Sequence, residues 1–468
     1  MKDLGFINRK KELQFLKDAL SSGERQLLVI YGRRRVGKSR LITFFSGNKP
    51  HIYFLADKRG TESNVRRFAE KCGEYFNEPP PAAEDFAGVF KYLMNRVGEK
   101  PFIVAMDEFS YLVEKDDSVP SVFQRAWDEV LPGTKMCLIL CGSSISMMYE
   151  GALSRSSPLY GRKTGHWKVL PMRFADAMKF FPDAGMEKAI QLFSVFGGIP
   201  AYLAEADGSK SIEWNIEQVV LKKGAPLYEE PEFLLRQELR DPSTYSSILE
   251  AMAANSKLTD IANKAGVKAT DFPKYFAVLE NLELVEREIQ VTEKESKRAL
   301  YKMSDNFFSF WFRFAFPRKS ELEEGRHTEV LEKTMAVFNQ YVGRAFEEVC
   351  RQALEDSREA FPFTKIGKWW GSYRDGNERK TSEMDIVALN EPEKGILFAE
   401  CKWSENVDAP TILAELKKKA ELVEWNGGKR KEKYAIFAKS FGRRTDEEGV
   451  LLFDLKDLDR IFRKAQGE

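Results

Sequence analysis

Gly32-Arg33-Arg34-Arg35-Val36-Gly37-Lys38-Ser39 matches G-x-x-x-x-G-K-[ST] at every fixed position. Glycines at both ends let the backbone curl until its N–H groups face phosphate oxygens. Lys38 would then reach the β- and γ-phosphates, and the Ser39 hydroxyl would hold Mg²⁺. "SRLITFF" continues as a helix whose N-terminal dipole faces the same anion. With the apolar strand "QLLVI" before the loop and this helix after it, ATP or GTP is favoured over a basic β-turn. The partner acids close "PFIVAMDEF", a continuous apolar run of the kind expected for a parallel strand covered on both faces. Asp107 is placed to bind Mg²⁺ through water, and Glu108 to orient the attacking water. A third buried strand, "KMCLILCGSS", brings Ser143 or Ser144 to its tip, where a hydroxyl meets the γ-phosphate or that water.

A second set of chemically able residues lies near the C-terminus. "SEMDIVALN" and "ILFAECKW" read as strands joined by the turn "EPEKG". Asp385 lies in the first. Glu400 and Lys402, two apart in the second, share one face, and Cys401 takes the other. An Asp and a Glu converging there can hold Mg²⁺, and Lys402 can position or activate water for phosphodiester attack. A helix from Val337 carries the apolar stripe Val337, Phe338, Tyr341, Val342, Phe346, Val349 and Cys350, flanked by Glu347. Asp plus Glu-x-Lys is by itself a weak signal, and a hairpin with a surface Glu–Lys ion pair remains the alternative. "KKK" at 417–419, "KRKEK" at 429–433 and "RR" at 443–444 would supply a basic rim.

Elements that position these residues fill a chain of 468 residues, which suggests roughly three domains at ~100–200 residues each. The composition, 43% hydrophobic and 31% charged, is that of a soluble globular protein, and 73 basic residues against 72 acidic argue neither for nor against nucleic acid. Apolar runs fall far short of the ~18 residues that span a bilayer, and "MKDLGFINRKKEL" has no apolar signal core. The five scattered cysteines and three histidines make a structural zinc site an unsuitable reading and point to reduced thiols in cytoplasm. Strand-loop-helix, strand-Asp-Glu and strand-polar together predict an α/β nucleotide-binding core.

In these motifs the chain resembles the AAA+ type P-loop ATPases. More narrowly, it resembles a prokaryotic, archaeal-type family related to the STAND signalling ATPases, whose members often end in a nuclease-like domain. "FINRKKELQFL" resembles the family's F-x-x-R-x-x-E-L box, which implies that backbone near Phe6 and Ile7 sits beside adenine. The loop resembles the family's own, including the arginine pair before the valine, and implies nucleotide contacts from Gly32, Arg35, Val36, Gly37, Lys38, Ser39 and Arg40. "GGIPAYL" resembles a lid motif whose proline, here Pro200, packs on the base; two glycines that merely end a helix are the alternative. Arg162, in "SPLYGRKTGHWKVLPM", sits where an arginine finger would, in cis or in trans; pairing with a surface acid is the other reading. No sensor-2 arginine is evident, which favours a slow switch over a fast motor. The arginine side chains of the loop are expected to point outward.

The resemblance implies a core over 1–170, a helical lid over 171–240, a winged helix over 241–305, an aromatic packing segment and hinge over 306–335, and a PD-(D/E)xK nuclease-like domain over 336–468. The order helix, strand hairpin, helix, strand in the tail resembles that last fold. In the helix-turn-helix, Lys274 and Arg287 stand against Asp271, Glu280, Glu283, Glu286 and Glu288, a poor balance for phosphate contact. Lys264, Lys268, Lys294, Lys297 and Arg298 remain for the turn and wing. "DNFFSFWFRFAFP" is expected to pack between domains, and "RKSELEEGRHTE" to form the hinge. Two functional expectations stay open: an ATP switch controlling a Mg²⁺-dependent DNA nuclease, or an ATP switch whose tail grips DNA or a protein without cleaving. An oligomer is compatible with both, and no membrane is involved in either.

Overall fold

The structure is a computed structural model that describes residues 5–293, 299–376 and 378–466. The chain divides between Pro171 and Met172 into two compact units. The first is built on five parallel strands: β1 (Gln26–Tyr31), β2 (His51–Leu55), β3 (Phe102–Asp107), β4 (Met136–Gly142) and β5 (Gly165–Lys168). Their order is β2-β3-β4-β1-β5. Every residue of β3 and β4 is buried, which explains the unbroken apolar runs of both. Register aligns the strand tips: Tyr31 pairs with Gly142, and Leu55 with Asp107. Helices complete the layers. The one over Phe86–Val97 is typical: Asp85 caps it through the Gly88 N–H at 2.9 Å, and Phe86, Phe90, Leu93 and Val97 lie on its buried face.

The second unit contains the remaining elements. Three helices, Pro242–Met252, Leu258–Ala265 and Phe272–Asn281, are followed by the antiparallel pair β6 (Val285–Glu288) and β7 (Leu300–Met303). Gly266, at φ 69°, ends the second helix. Lys294, Lys297 and Arg298 lie outside the described residues. Phe307, Phe308, Phe310, Trp311, Phe312 and Phe314 are all buried, and the Trp311 indole donates to Tyr228 O at 2.9 Å. These rings therefore pack protein and are closed to stacked bases.

A five-stranded mixed sheet organises the tail, ordered β14-β12-β10-β9-β8. Its members are β8 (Lys365–Asp375), β9 (Glu378–Asn390), β10 (Gly395–Lys402), β12 (Lys431–Ala438) and β14 (Val450–Phe453), with β11 (Val407–Asp408) and β13 (Phe441–Arg443) paired beside it. β8 to β10 run antiparallel; β10, β12 and β14 run parallel. The sequence reading has no strand at β8, because "KIGKWWGSYRD" lacks a clean apolar alternation. The expected hinge is also corrected. Lys319–Glu323 is helical, and His327–Asp356 is one helix of 30 residues, so the boundary at 335/336 falls inside it. Charge density does not distinguish a hinge from a solvated helix face, and here Lys333 pairs with Glu321 at 2.6 Å. Nor do 240/241 and 305/306 divide compact units.

The GGIP glycines have a packing reason. Gly197, at φ 65°, caps the helix Met186–Phe196, and a Cβ on Gly198 would lie 2.1 Å from Met172 O. Met172 N–H donates to Gly198 O at 2.7 Å across the same approach. Gly198→Ala should lower stability by roughly 1–3 kcal/mol, the scale of overpacking; denaturant unfolding with an unchanged midpoint would show that this approach is dispensable.

Candidate functional site

The loop between β1 and the helix Lys38–Ser46 is curled by residues with positive φ: Gly32 at 143°, Arg35 at 66° and Gly37 at 92°. Gly32 admits no side chain, since a Cβ would lie 2.3 Å from Val169 O. The Lys38 side chain turns back over the loop, donating to Gly32 O at 2.8 Å and Arg33 O at 3.0 Å. Only 6% of Lys38 is exposed. Burial pushes its ammonium pKa down, and the neighbouring Cys141, Glu108 and Asp107 oppose that shift. A buried cation seated on two carbonyls is available to phosphate oxygens at the centre of the curl.

Asp107 is 1% exposed at the tip of β3. Its Oδ1 accepts the Glu108 N–H at 2.9 Å, and its Oδ2 accepts the Tyr53 hydroxyl. Glu108 sits in the left-handed region (φ 53°, ψ 38°), and its carboxylate accepts the Ser143 hydroxyl at 2.9 and 3.1 Å. Strand order thus joins Lys38, Asp107, Glu108 and Ser143 at one sheet edge. Tyr53 was not singled out from sequence; its signal is a polar-tipped residue at an alternating, half-buried position of β2.

Arg9 braces the loop from outside. It donates to Val36 O at 2.8 Å and Leu170 O at 2.9 Å and pairs with Glu12 at 2.9 Å. The arginine and glutamate of the F-x-x-R-x-x-E-L box therefore have a structural task. Arg40 donates to Gly5 O, and Phe6 stacks on Phe44 with centroids 4.1 Å apart and planes at 5°. This holds the Phe6–Ile7 segment on the loop helix. The outward expectation for the arginines is corrected at Arg33, which is 4% exposed; its carbonyl is drawn inward by Lys38, while Arg35 is exposed. Arg162 is not brought to this edge. Thr164 N–H donates to Leu27 O near the start of β1, and Arg162 pairs with Asp128 at 2.7 Å. Pro200 opens the helix Pro200–Leu203 in the second unit.

In the tail, β9 and β10 pair through Ile386 and Ala399, which brings Asp385 and Glu400 to adjacent positions. Asp385 Oδ2 accepts the Cys401 N–H at 2.8 Å. Its carboxyl is pushed up to about 7, first by burial, then by Glu347 and Glu400. Glu400, 6% exposed, accepts Lys402 at 2.8 Å and Lys419 at 3.1 Å on each oxygen. Glu347 is paired with Lys368. Burial alone would lower the Lys402 pKa, but Glu400 and Asp385 raise it overall. Lys368 and Lys419 were missed as site residues. Lys419 neighbours the buried Leu416 and Ala420 on its helix, so periodicity places it near the apolar face. Of the expected basic rim, Lys417 pairs with Glu447, and Arg430 binds the carbonyls of Ala420, Val423 and Trp425 beyond the end of helix Ala409–Ala420. Arg430 is thereby removed from the rim, as suits a cation at a helix C-terminus. Among the described residues no group of three or more His, Cys, Asp or Glu is arranged to hold a metal ion.

A Walker-type ATPase of Pyrococcus abyssi is 22% identical, covering 66% of this chain and 96% of its own, with a TM-score of 0.48. The Aeropyrum pernix ORC2 protein is 13% identical, covering 72% and 98%, with a TM-score of 0.46. A family described as an ATPase domain predominantly from Archaea matches residues 6–206, and a second, of archaeal and bacterial proteins of unknown function, matches 311–418. An uncharacterized protein of Methanocaldococcus jannaschii is 37% identical over 461 residues, 97% of this chain and 99% of its own. The chain belongs to this archaeal-type P-loop ATPase family. Its ATPase domain is the one that carries Lys38, Asp107, Glu108 and Ser143, and among the described residues of this ATPase no helix is long and apolar enough to cross a membrane.

In this ATPase, Lys38→Ala removes a charge-assisted contact from a desolvated cradle, a loss of roughly 1.5–3 kcal/mol. Affinity for a fluorescent ATP analogue should fall at least about tenfold. Unchanged affinity in titration would mean that the loop does not hold the triphosphate.

Proposed function

We propose that this ATPase is a nucleotide-driven molecular switch whose tail acts on DNA. The observation that carries the switch is the contact of Ser143 with Glu108. The carboxylate suited to activating water is engaged by a hydroxyl from the neighbouring strand tip. A γ-phosphate arriving near Ser143 competes for that hydroxyl and frees Glu108 to orient water. Ser39 and Asp107 are the residues that would hold Mg²⁺, and the Gly32 cradle, closed to any side chain, fits the phosphates. The bound ion would neutralise charge developing on the phosphate oxygens. Lys38 and the loop N–H groups bind and orient the same oxygens. Arg162, ion-paired away from its own loop, would serve only in trans, in an oligomer.

The tail reading rests on Asp385, Glu400 and Lys402 sharing one end of the β9–β10 pair, with Glu347 beside them. Crowding of three carboxylates raises Asp385 first by burial and then by like charge, a penalty that a divalent cation would relieve. Asp385 and Glu400 would hold Mg²⁺, and Lys402 would direct water at a DNA phosphodiester. A second reading, a tail that grips DNA or a protein without cleaving, is favoured by one observation: both oxygens of Glu400 are already bonded to lysines. For the helix-turn-helix, read as a winged helix, a relay role is favoured over base reading. Its Lys302 is spent on Glu286 and Glu288 at 3.0 and 2.8 Å, and Val291 N–H donates to Lys368 O at 3.0 Å, tying the segment after β6 to the tail's edge strand.

Glu108→Gln keeps size and loses the base. Nucleotide binding should persist while turnover drops ~10²-fold or more, the usual scale for general-base loss; a phosphate-release assay giving parental turnover removes Glu108 from that role.

In a plasmid-nicking assay with Mg²⁺ or Mn²⁺, the parent should cleave. Glu400→Ala should abolish cleavage and weaken the metal dependence, and Lys402→Ala should abolish cleavage with DNA binding retained. ATP turnover should change little in either variant. An inactive parent under both metals would favour the gripping tail, and cleavage by both variants at parental rate would dismiss this site.

A further inference from the structure

The Tyr53 hydroxyl reaches Asp107 from the neighbouring strand at one corner of the nucleotide site. β2 pairs with β3 in parallel, Tyr53 opposite Ala105 and Leu55 opposite Asp107. Alternation along β2 buries Ile52 and Phe54 in the core and leaves His51 and Tyr53 half-buried on the other face. From that face the phenol donates to Asp107 Oδ2. The Ser39 side chain, at the start of the loop helix, lies near the same phenol. With Oδ1 taken by the Glu108 N–H at 2.9 Å, both oxygens of a carboxylate that is 1% exposed are oriented. A phenol is protonated at neutral pH and is therefore a donor there.

Nothing in the loop motif or the strand-Asp-Glu pattern calls for a tyrosine here. Ring packing alone would be served by phenylalanine, so the hydroxyl is the part that needs a reason. We propose that Tyr53 is a positioning residue of the metal corner: its hydroxyl holds Asp107 Oδ2 in place, so that the carboxylate assigned to Mg²⁺ is oriented before the ion arrives. The inference rests on the assignment of Mg²⁺ to Ser39 and Asp107 above. Mg²⁺ keeps several waters and takes few protein ligands. The protein then controls its affinity mainly through the orientation of those ligands, and losing a partner that orients one costs typically 10–100-fold.

The test uses the full chain with Tyr53→Phe, which keeps the ring. Mn²⁺ is the probe, its binding followed by electron paramagnetic resonance with a non-hydrolysable ATP analogue present. A fluorescent ATP analogue is titrated in parallel in EDTA. Both proteins are compared below the lower of their melting midpoints, so that a stability loss does not enter. Mn²⁺ affinity should fall about 10–100-fold, while analogue affinity in EDTA stays at the parental value. In an Asp107→Asn background the same change should add little, because the two residues act through one contact. If the parent gains no Mn²⁺ affinity from the nucleotide analogue, the Mg²⁺ assignment fails and the inference falls with it. If the parent binds Mn²⁺ and Tyr53→Phe binds it equally well, the inference alone is overturned. Full additivity with Asp107→Asn, or an equal loss of analogue affinity in EDTA, overturns it too, since the tyrosine would then be supporting the fold of the loop.

Discussion

Two opposite charges are buried at one sheet edge, the Lys38 ammonium and the Asp107 carboxylate, and much of the first unit follows from keeping both hydrogen-bonded. A buried charge without partners costs several kcal/mol. Lys38 meets that demand with the carbonyls of its own loop, which requires the loop to curl tightly. The curl in turn requires Gly32, because Val169 O closes the space a side chain would occupy. Asp107 is satisfied by the Glu108 N–H and the Tyr53 hydroxyl, which requires β2 to lie beside β3. The site is thus the place where the sheet's burial and its need for satisfied polar groups meet.

The tail solves a similar problem with a different balance. Asp385, Glu347 and Glu400 crowd one region, and lysines from three elements answer them: Lys368 from β8, Lys402 from β10 and Lys419 from the helix Ala409–Ala420. Asp385 is the member whose oxygen is met by a backbone N–H, and its carboxyl is the one pushed up. Each of the three carboxylates thereby has a partner within the chain: Lys368 for Glu347, Lys402 and Lys419 for Glu400, and the Cys401 N–H for Asp385.

The second unit is more continuous than its motifs suggest. A 30-residue helix passes through the expected hinge, and the segment after β6 reaches into the tail, where Val291 joins Trp369, Met384 and Phe398 in one apolar cluster. Lys302 of β7 is likewise committed within the chain, to Glu286 and Glu288.

How much of this was legible in advance divides along physical lines. Local geometry and burial leave marks in sequence: the glycine spacing of the loop, the unbroken apolar runs of β3 and β4, the Asp107–Glu108 pair at a strand end, the alternation that puts Glu400 and Lys402 on one face. Those patterns by themselves determined the α/β nucleotide-binding core and the residues of its phosphate loop. Tertiary structure alone decided which groups answer one another across elements. Tyr53 reaches Asp107 only because β2 is the neighbour of β3, Arg9 braces Val36 across the loop, Lys419 turns onto Glu400 while Lys417 goes to Glu447, and Arg430 leaves the basic rim for a helix end. A charged or hydroxylic side chain carries no sign of its partner in the residues beside it, since the partner is chosen by strand order and helix packing, and those are properties of the whole chain.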